Sequence, residues 1–341
     1  MTNNTLLEVK DLRVHFIMEE GTVKAVEGVD LTINQSQTVG LVGESGCGKS
    51  VTAFSILQIV SKPGKIVSGQ ILLHRPTSDG RQTKVIDIAR LDPRSREMRA
   101  IRGGDIAMIF QEPMTSLSMM HTIGAQIIEA ITLHQKVTLK EARQQTIAML
   151  SRVGIPKAAE RVDAYPFELS GGMRQRAMIA MALVCHPRLL IADEPTTALD
   201  VTTQAQIMEL IKELQRDMGM SVLLITHDLG VIAETCDEVL VMYLGEVVEK
   251  ASVKSLFYEP LHPYTRALLR SIPRLGYGRS WDLEPIEGMV PDPYNRPPGC
   301  PFHPRCTEAI PGECDTVHPA MIELPDGRSV RCVRYTGSAT S

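Results

Sequence analysis

The chain has 341 residues, 43% of them apolar and 22% charged, with a formal net charge of -4. That composition suits a globular protein with a buried core and supplies no overall attraction for nucleic acid or anionic lipid, so neither is an expected partner. No apolar run reaches the roughly 18 residues that cross a bilayer, and the opening MTNNTLLEVKD has no basic-then-apolar leader pattern; the expected compartment is the cytosol, where thiols stay reduced.

Residues 6–33 alternate apolar and polar side chains around Glu20-Gly21, which predicts half-exposed antiparallel strands in a side sheet. Short apolar runs then alternate with helical stretches: TVGLVG (38–43), RLLIAD (188–193), SVLLIT (221–226) and EVLVMY (238–243) read as buried parallel strands, and GKSVTAFSILQIV (48–60) and TTQAQIMELIKELQRDMG (202–219) as helices. The alternation predicts an α/β fold. Helical spacing in IGAQIIEAITL (123–133) and LKEARQQTIAMLSRVG (139–154) predicts a helical subdomain over about 114–165, between Pro113 and Pro166. Residues 1–250 hold 8 of the 21 prolines and the last 91 residues hold 13. This shift in composition predicts a domain boundary near 250, with one domain over 1–250 and a smaller, irregular one over 251–341.

GESGCGKS, residues 43–50, matches G-x-x-x-x-G-K-[ST] between a strand and a helix. Gly43, Gly46 and Gly48 let the backbone turn its N–H groups inward, and the helix that follows adds its positive N-terminal dipole. Lys49 is expected on the β- and γ-phosphates and the Ser50 hydroxyl on Mg²⁺. With Glu44, Ser45, Cys47 and Val51 these residues form the expected nucleotide contact; Cys47 occupies a free position of the motif and serves through its backbone amide. RLLIADEP, 188–195, ends a buried strand in two carboxylates: Asp193 suits a contact to Mg²⁺ through water, and Glu194 suits the general base that orients the attacking water. SVLLIT delivers His227, which can bond a phosphate oxygen, to the same strand ends. LSGGMRQR, 169–176, opens a second helix on two glycines and so offers a second anion cradle.

This set resembles the ATP-binding cassette family: GESGCGKS as Walker A, Gln111 of IFQEP as the Q-loop, LSGGMRQR as the signature, LLIADE as Walker B, TALD ending at Asp200 as the D-loop and His227 as the switch histidine, all in the family's order. The resemblance implies an ABC-type nucleotide-binding domain and an ATPase. It implies that Gln111 shares the Mg²⁺ with Ser50 and Asp193, that Phe16 stacks on adenine where the family more often has Tyr, and that Ser170, Gly171, Gly172, Gln175 and Asp200 close over the ATP of a second ATPase subunit. IADEPTTALDVTTQAQI and LHPYTRALLRSIP (261–273) narrow the likeness to the ATP-binding subunits of dipeptide, oligopeptide and nickel permeases, and the GESGCGKSV form with the long tail most resembles the D-type subunit. The implied partners are an F-type ATPase subunit, two integral membrane permease subunits and an extracytoplasmic substrate-binding protein, and the implied place is the cytoplasmic face of the bacterial inner membrane. Peptide is the expected cargo; nickel, glutathione or another small solute is the alternative. A soluble iron–sulfur-assembly ATPase is the remoter reading, because such a chain lacks LHPYTRALLRSIP and the tail. The sequence departs from the family at Glu112, at Thr197 and in SLSMMHT, 116–122, departures expected to lie away from the hydrolytic residues.

Cys300, Cys306, Cys314 and Cys332 put four of the seven cysteines in the last 42 residues, spaced C-x5-C-x7-C-x17-C. After residue 250 acidic and basic residues balance, so the tail is not a basic nucleic-acid arm, and its prolines forbid a long helix or a central strand. The spacing lacks the short paired knuckles of Cys₄ zinc, leaving an iron–sulfur cluster, zinc or free structural thiols as alternatives. The permease resemblance implies a [4Fe–4S] cluster on these four residues. Cys185 and Cys236 read as small apolar fillers.

Overall fold

A computed structural model describes residues 4–77, 82–111, 116–197, 200–271 and 286–336. The chain divides into two compact units, one of Met1–Leu6, Ile33–Thr38 and Arg90–Ile225, the other of Leu7–Thr32, Val39–Ala89 and Thr226–Ser341.

The first unit is built on three parallel strands, Ile106–Ile109, Leu189–Asp193 and Ser221–Ile225, with Leu189–Asp193 in the middle. All fourteen of their residues are buried, which explains why these segments read as unbroken apolar runs. In the described part of 114–165 the expected helical spacing becomes the helices Ile123–His134, Leu139–Arg152 and Ala158–Arg161. Their starts are fixed locally. Thr122 caps the first, and Thr138 exchanges bonds with Glu141 in a capping box on the second. Ile127 and Ile131 of the first, and Ala142, Thr146, Met149 and Leu150 of the second, are buried, a stripe at three- and four-residue spacing.

The second unit holds most of a four-stranded sheet and, around the phosphate-loop sequence, a further set of paired strands. Thr5–Met18 and Gly21–Asn34, which lie mostly in this unit, stand beside Gly64–Pro76 and Thr83–Asp87 in a four-stranded sheet, with antiparallel pairing from Thr5–Met18 outward. The side sheet expected from the opening alternation is therefore present, widened by two strands that the sequence pattern did not single out. In the other sheet Thr38–Val42 runs parallel to Glu238–Tyr243, which pairs antiparallel with Glu246–Ser252. The tail then adds Ser329–Val330 and Ile322–Glu323 as two-residue strands at the edge, where a proline-rich chain can still pair. Two short helices, Val253–Tyr258 and Pro263–Arg270, follow Glu246–Ser252. Glu249, fully buried in that strand, accepts the backbone N–H groups of Leu261 (2.9 Å) and His262 (2.8 Å). His262 in turn caps the second helix, its Nδ1 accepting from the N–H of Tyr264.

Candidate nucleotide site

Strand Thr38–Val42 ends where GESGCGKS begins, and the helix Lys49–Ile56 starts at the motif lysine. Gly43 and Gly48 have φ of +151° and +104°, and a Cβ on them would lie 2.2 Å from the Met242 carbonyl oxygen and 2.3 Å from that of Ala25. The loop is pressed against two other segments of the backbone, so only glycine fits either position. Lys49, 6% exposed, donates from Nζ to the carbonyl oxygens of Gly43 (2.7 Å) and Glu44 (3.0 Å). Its ammonium is thereby folded back over the loop. Cys47 is buried and its thiol pKa is raised by that burial, with Lys49 opposing. Ser45 and Gly46 are exposed, and Ser50 and Val51 are half-buried in the first turn of the helix. His227, in the same unit, is exposed beside Asp228, whose carboxylate caps the helix Leu229–Thr235. Phe16 is half-buried, paired with Gly64 across the side sheet, and a Cβ at Gly64 would press on its ring at 2.8 Å.

In the first unit, Asp193 ends its strand 3% exposed, and the chain turns through φ +46° at Glu194. Glu194 is the polar hub. Its Oε2 accepts from Gln111 Nε2 at 3.0 Å and from the Thr197 hydroxyl at 2.8 Å. Thr197 thus bonds directly to Glu194, the residue expected as the base, which corrects the expectation that the departures from the family pattern lie away from such residues; Ser would offer the same hydroxyl without the methyl. Glu112 lies outside the described residues. Ser170 caps the helix Gly171–Leu183, whose first residue is exposed. Gln175 turns inward instead: it is 1% exposed and donates to the Pro195 carbonyl, so it ties the signature helix to the turn that carries Glu194. Asp200 caps the helix Val201–Met218, accepting from Thr203 N (2.9 Å) and Thr203 Oγ1 (2.7 Å); these bonds hold its pKa below the usual range.

Each unit by itself carries a feature that fits a nucleotide: in the second, a glycine cradle closed by a lysine at a helix start; in the first, a buried carboxylate with a hydrogen-bonded neighbour at a strand end. The chain matches the family model described as ABC transporter over residues 26–197. It is 50% identical over 333 residues to the oligopeptide transport ATP-binding protein AppD of Bacillus subtilis, covering 97% of each chain. The chain belongs to the ABC transporter family. As an ABC ATPase it hydrolyses ATP. A second model, described as oligopeptide/dipeptide transporter, C-terminal region, matches residues 248–314, and the dipeptide transport ATP-binding protein DppD of B. subtilis is 49% identical over 328 residues, covering 96% of this chain and 94% of its own. Among solved structures, the ATP-binding cassette MJ0796 in a dimeric post-hydrolysis state bound to ADP and Pi superposes with a TM-score of 0.62, at 26% identity, over 73% of this chain and 99% of its own. Among the described residues of this ABC ATPase no helix is long and apolar enough to cross a membrane.

The tail thiols answer differently from their resemblance. Cys300, Cys306, Cys314 and Cys332 all line one void of about 10 Å³, about the space of a single water centre. Burial raises the thiol pKa of Cys300 to about 11, with the other three cysteines adding to the shift. Yet among the described residues no group of three or more His, Cys, Asp or Glu is arranged to hold a metal ion. The expectation of a cluster or zinc therefore finds no ligand set in this structure. Cys185 is half-buried and its Sγ donates to the Ala130 carbonyl, consistent with a filler.

Proposed function

We propose that this ABC ATPase powers a bacterial importer of di- or oligopeptides. The observation that carries the reading is the match of residues 248–314 to the oligopeptide/dipeptide transporter C-terminal region, joined to near-full-length identity with peptide transport subunits. Nickel or glutathione import is the alternative. Domains over 1–250 and 251–341, with a helical subdomain near 114–165, are part of the same proposal. So are an F-type ATPase partner, two integral membrane permease subunits, an extracytoplasmic binding protein, and a peripheral place on the inner face of the membrane.

Phosphoryl transfer to water is mainly positioning and charge neutralisation. In the proposed assignment the loop 43–51 holds the phosphates through the amides not engaged within the fold, the Glu44 amide being taken by the Tyr264 hydroxyl, and Lys49 leaves the loop carbonyls for the β- and γ-phosphates. Ser50, Asp193 and Gln111 would hold Mg²⁺, which when bound neutralises phosphate charge. Glu194, oriented by Gln111 and Thr197, takes a proton from the attacking water. His227 bonds the γ-phosphate and Phe16 lies against adenine. Ser170, Gly171, Gly172 and Asp200 serve the nucleotide of the second subunit. Gln175, with its internal bond to Pro195, supports that helix from behind.

The test is co-purification and uptake. The chain expressed with its genomic neighbours is expected to isolate with two membrane proteins, and deleting it to abolish growth on peptides as nitrogen source. Isolation without membrane proteins, or unchanged peptide uptake, refutes the importer reading.

A finer proposal concerns the small, irregular, cysteine-rich C-terminal domain. We propose Cys300, Cys306, Cys314 and Cys332 as ligands of a [4Fe–4S] cluster, with zinc as the alternative; the shared void and the thiols' mutual influence support it, and binding would have to draw the four sulfurs together. Anaerobic preparation with metal analysis decides: about four irons per chain supports the cluster, one zinc replaces it, and no metal leaves structural thiols.

A further inference from the structure

Glu44 occupies one of the four unspecified positions of GESGCGKS, yet the tail grips it at two points. Its backbone N–H donates to the Tyr264 hydroxyl at 2.9 Å. Its carboxylate accepts a two-pronged bond from Arg305, Nη1 to Oε2 at 2.7 Å and Nη2 to Oε1 at 3.0 Å. The Arg305 side chain is 3% exposed and that of Glu44 25%, so this is a largely desolvated fork. Arg305 is itself fixed: Nε donates to the Glu287 carbonyl at 3.1 Å, Nη1 also reaches the Tyr243 hydroxyl at 3.4 Å, and the guanidinium carbon lies 5.9 Å from the Tyr243 ring centre.

The turn that carries Arg305 also supports the tyrosine. Phe302 packs on Tyr264 and Tyr243, with ring centres 5.3 and 5.2 Å away, and the two tyrosines lie 4.7 Å apart. Phe302 and Arg305 both belong to the turn between Cys300 and Cys306, closed by His303 N to Cys300 O and Cys306 N to His303 O. One turn of the tail therefore holds residue 44 by charge and supports the tyrosine that holds its amide.

The charge decides what this grip does. A carboxylate inside a phosphate-binding loop repels a polyanion, and a bare Glu44 would lower nucleotide affinity by its field alone. Arg305 is the cation that meets it. We propose that Arg305 is a positioning residue of the nucleotide site: it masks the Glu44 charge and fixes residue 44, so that the tail sets the affinity of the phosphate loop. The proposal rests on nucleotide binding at residues 43–50.

The test uses the purified full-length chain, with a fluorescent MANT-labelled ATP plus Mg²⁺ as probe and near-ultraviolet circular dichroism to confirm folding. Arg305→Met exposes the Glu44 charge and is expected to weaken binding by about 5- to 150-fold, the span of typical couplings between sites. Glu44→Gln removes the repelling charge, leaves Arg305 unopposed beside the loop and is expected to bind the probe more tightly than the parent. The double variant Glu44→Gln/Arg305→Met, which has neither charge, is expected to recover most of the loss. A merely structural contact would not restore affinity when its second half is also removed. Parent-like affinity in Arg305→Met, or a double variant as weak as Arg305→Met, overturns the proposal. Lys49→Ala separates the two levels: if it binds the probe normally, the loop assignment itself is wrong; if it loses binding while Arg305→Met keeps it, only the role of Arg305 falls.

Discussion

Glu194→Gln tests the proposed chemistry most directly, because the structure lets the fold effect be separated from the catalytic one. The carboxylate oxygen Oε2 accepts from Gln111 Nε2 and Thr197 Oγ1, and an amide carbonyl has two lone pairs with which to accept both. The glutamine can therefore keep the geometry of the turn while losing the basic oxygen. Asp193, Lys49 and the glycine cradle are untouched, so MANT-ATP affinity should stay within about twofold. Removing a general base typically costs a factor of about 10² to 10⁴, equivalent to about 3–5 kcal/mol on the barrier at 1.36 kcal/mol per tenfold. Single-turnover hydrolysis of ATP, with chemistry separated from binding, is the assay. A single-turnover rate within threefold of the parent would remove Glu194 from the role of base.

Thr197→Val removes one of the two bonds to the same oxygen, worth about 0.5–1.5 kcal/mol, so single-turnover hydrolysis should fall by up to about tenfold while Thr197→Ser stays near the parent; equal rates in both would show that the hydroxyl does not orient Glu194. Gly48→Ala puts a Cβ 2.3 Å from the Ala25 carbonyl oxygen at φ +104°, and should cost at least about 1–3 kcal/mol from the backbone conformation alone, visible as a lower melting temperature; an unchanged melting curve would contradict the close approach. His262 is fully buried, and burial, with Arg266 adding, lowers its pKa to about 3. The folded chain then binds fewer protons than the unfolded one between about pH 6.5 and 3. Its contribution to stability is present above pH 6.5 and lost as pH falls toward 3, and urea midpoints should drop across that window. His262→Asn, which can keep the helix cap, should flatten the drop; an identical slope would assign the acid sensitivity elsewhere.

The strands of the core were legible because burial on both faces demands unbroken apolar runs: RLLIAD and SVLLIT became strands within a residue of their expected limits. The side sheet was only half legible. Its first strand alternates over most of its length despite a register shift near Arg13 and an exposed end at Ile17 and Met18, whereas Gly64–Pro76 and Thr83–Asp87, with Val67 and Val85 exposed, were not singled out. Motif residues kept their places because spacing fixes the local backbone: Lys49 does begin a helix and Ser170 does cap one. What spacing does not encode is side-chain direction. Gln175 lies in the signature and faces inward to Pro195, and Thr197, a departure from the family pattern, bonds to Glu194.

Glu44 carries that point furthest. In a motif written G-x-x-x-x-G-K-S the unspecified positions are free only with respect to phosphate, since the amides and glycines do the binding whatever the side chain. They are not free with respect to the rest of the fold. A glutamate there is unfavourable for a site that holds a polyphosphate, and its presence makes sense only with a cation to meet it. Lys49, five residues on, turns its ammonium to the loop carbonyls instead, and the cation that meets the carboxylate lies 261 residues along, in a turn whose cysteines draw the eye first. LHPYTRALLRSIP, read for its resemblance, contributes Tyr264 to the same grip. The tail that composition set apart from the cassette lies, by its contacts, in the compact unit that carries the phosphate loop, and it meets that loop at residue 44.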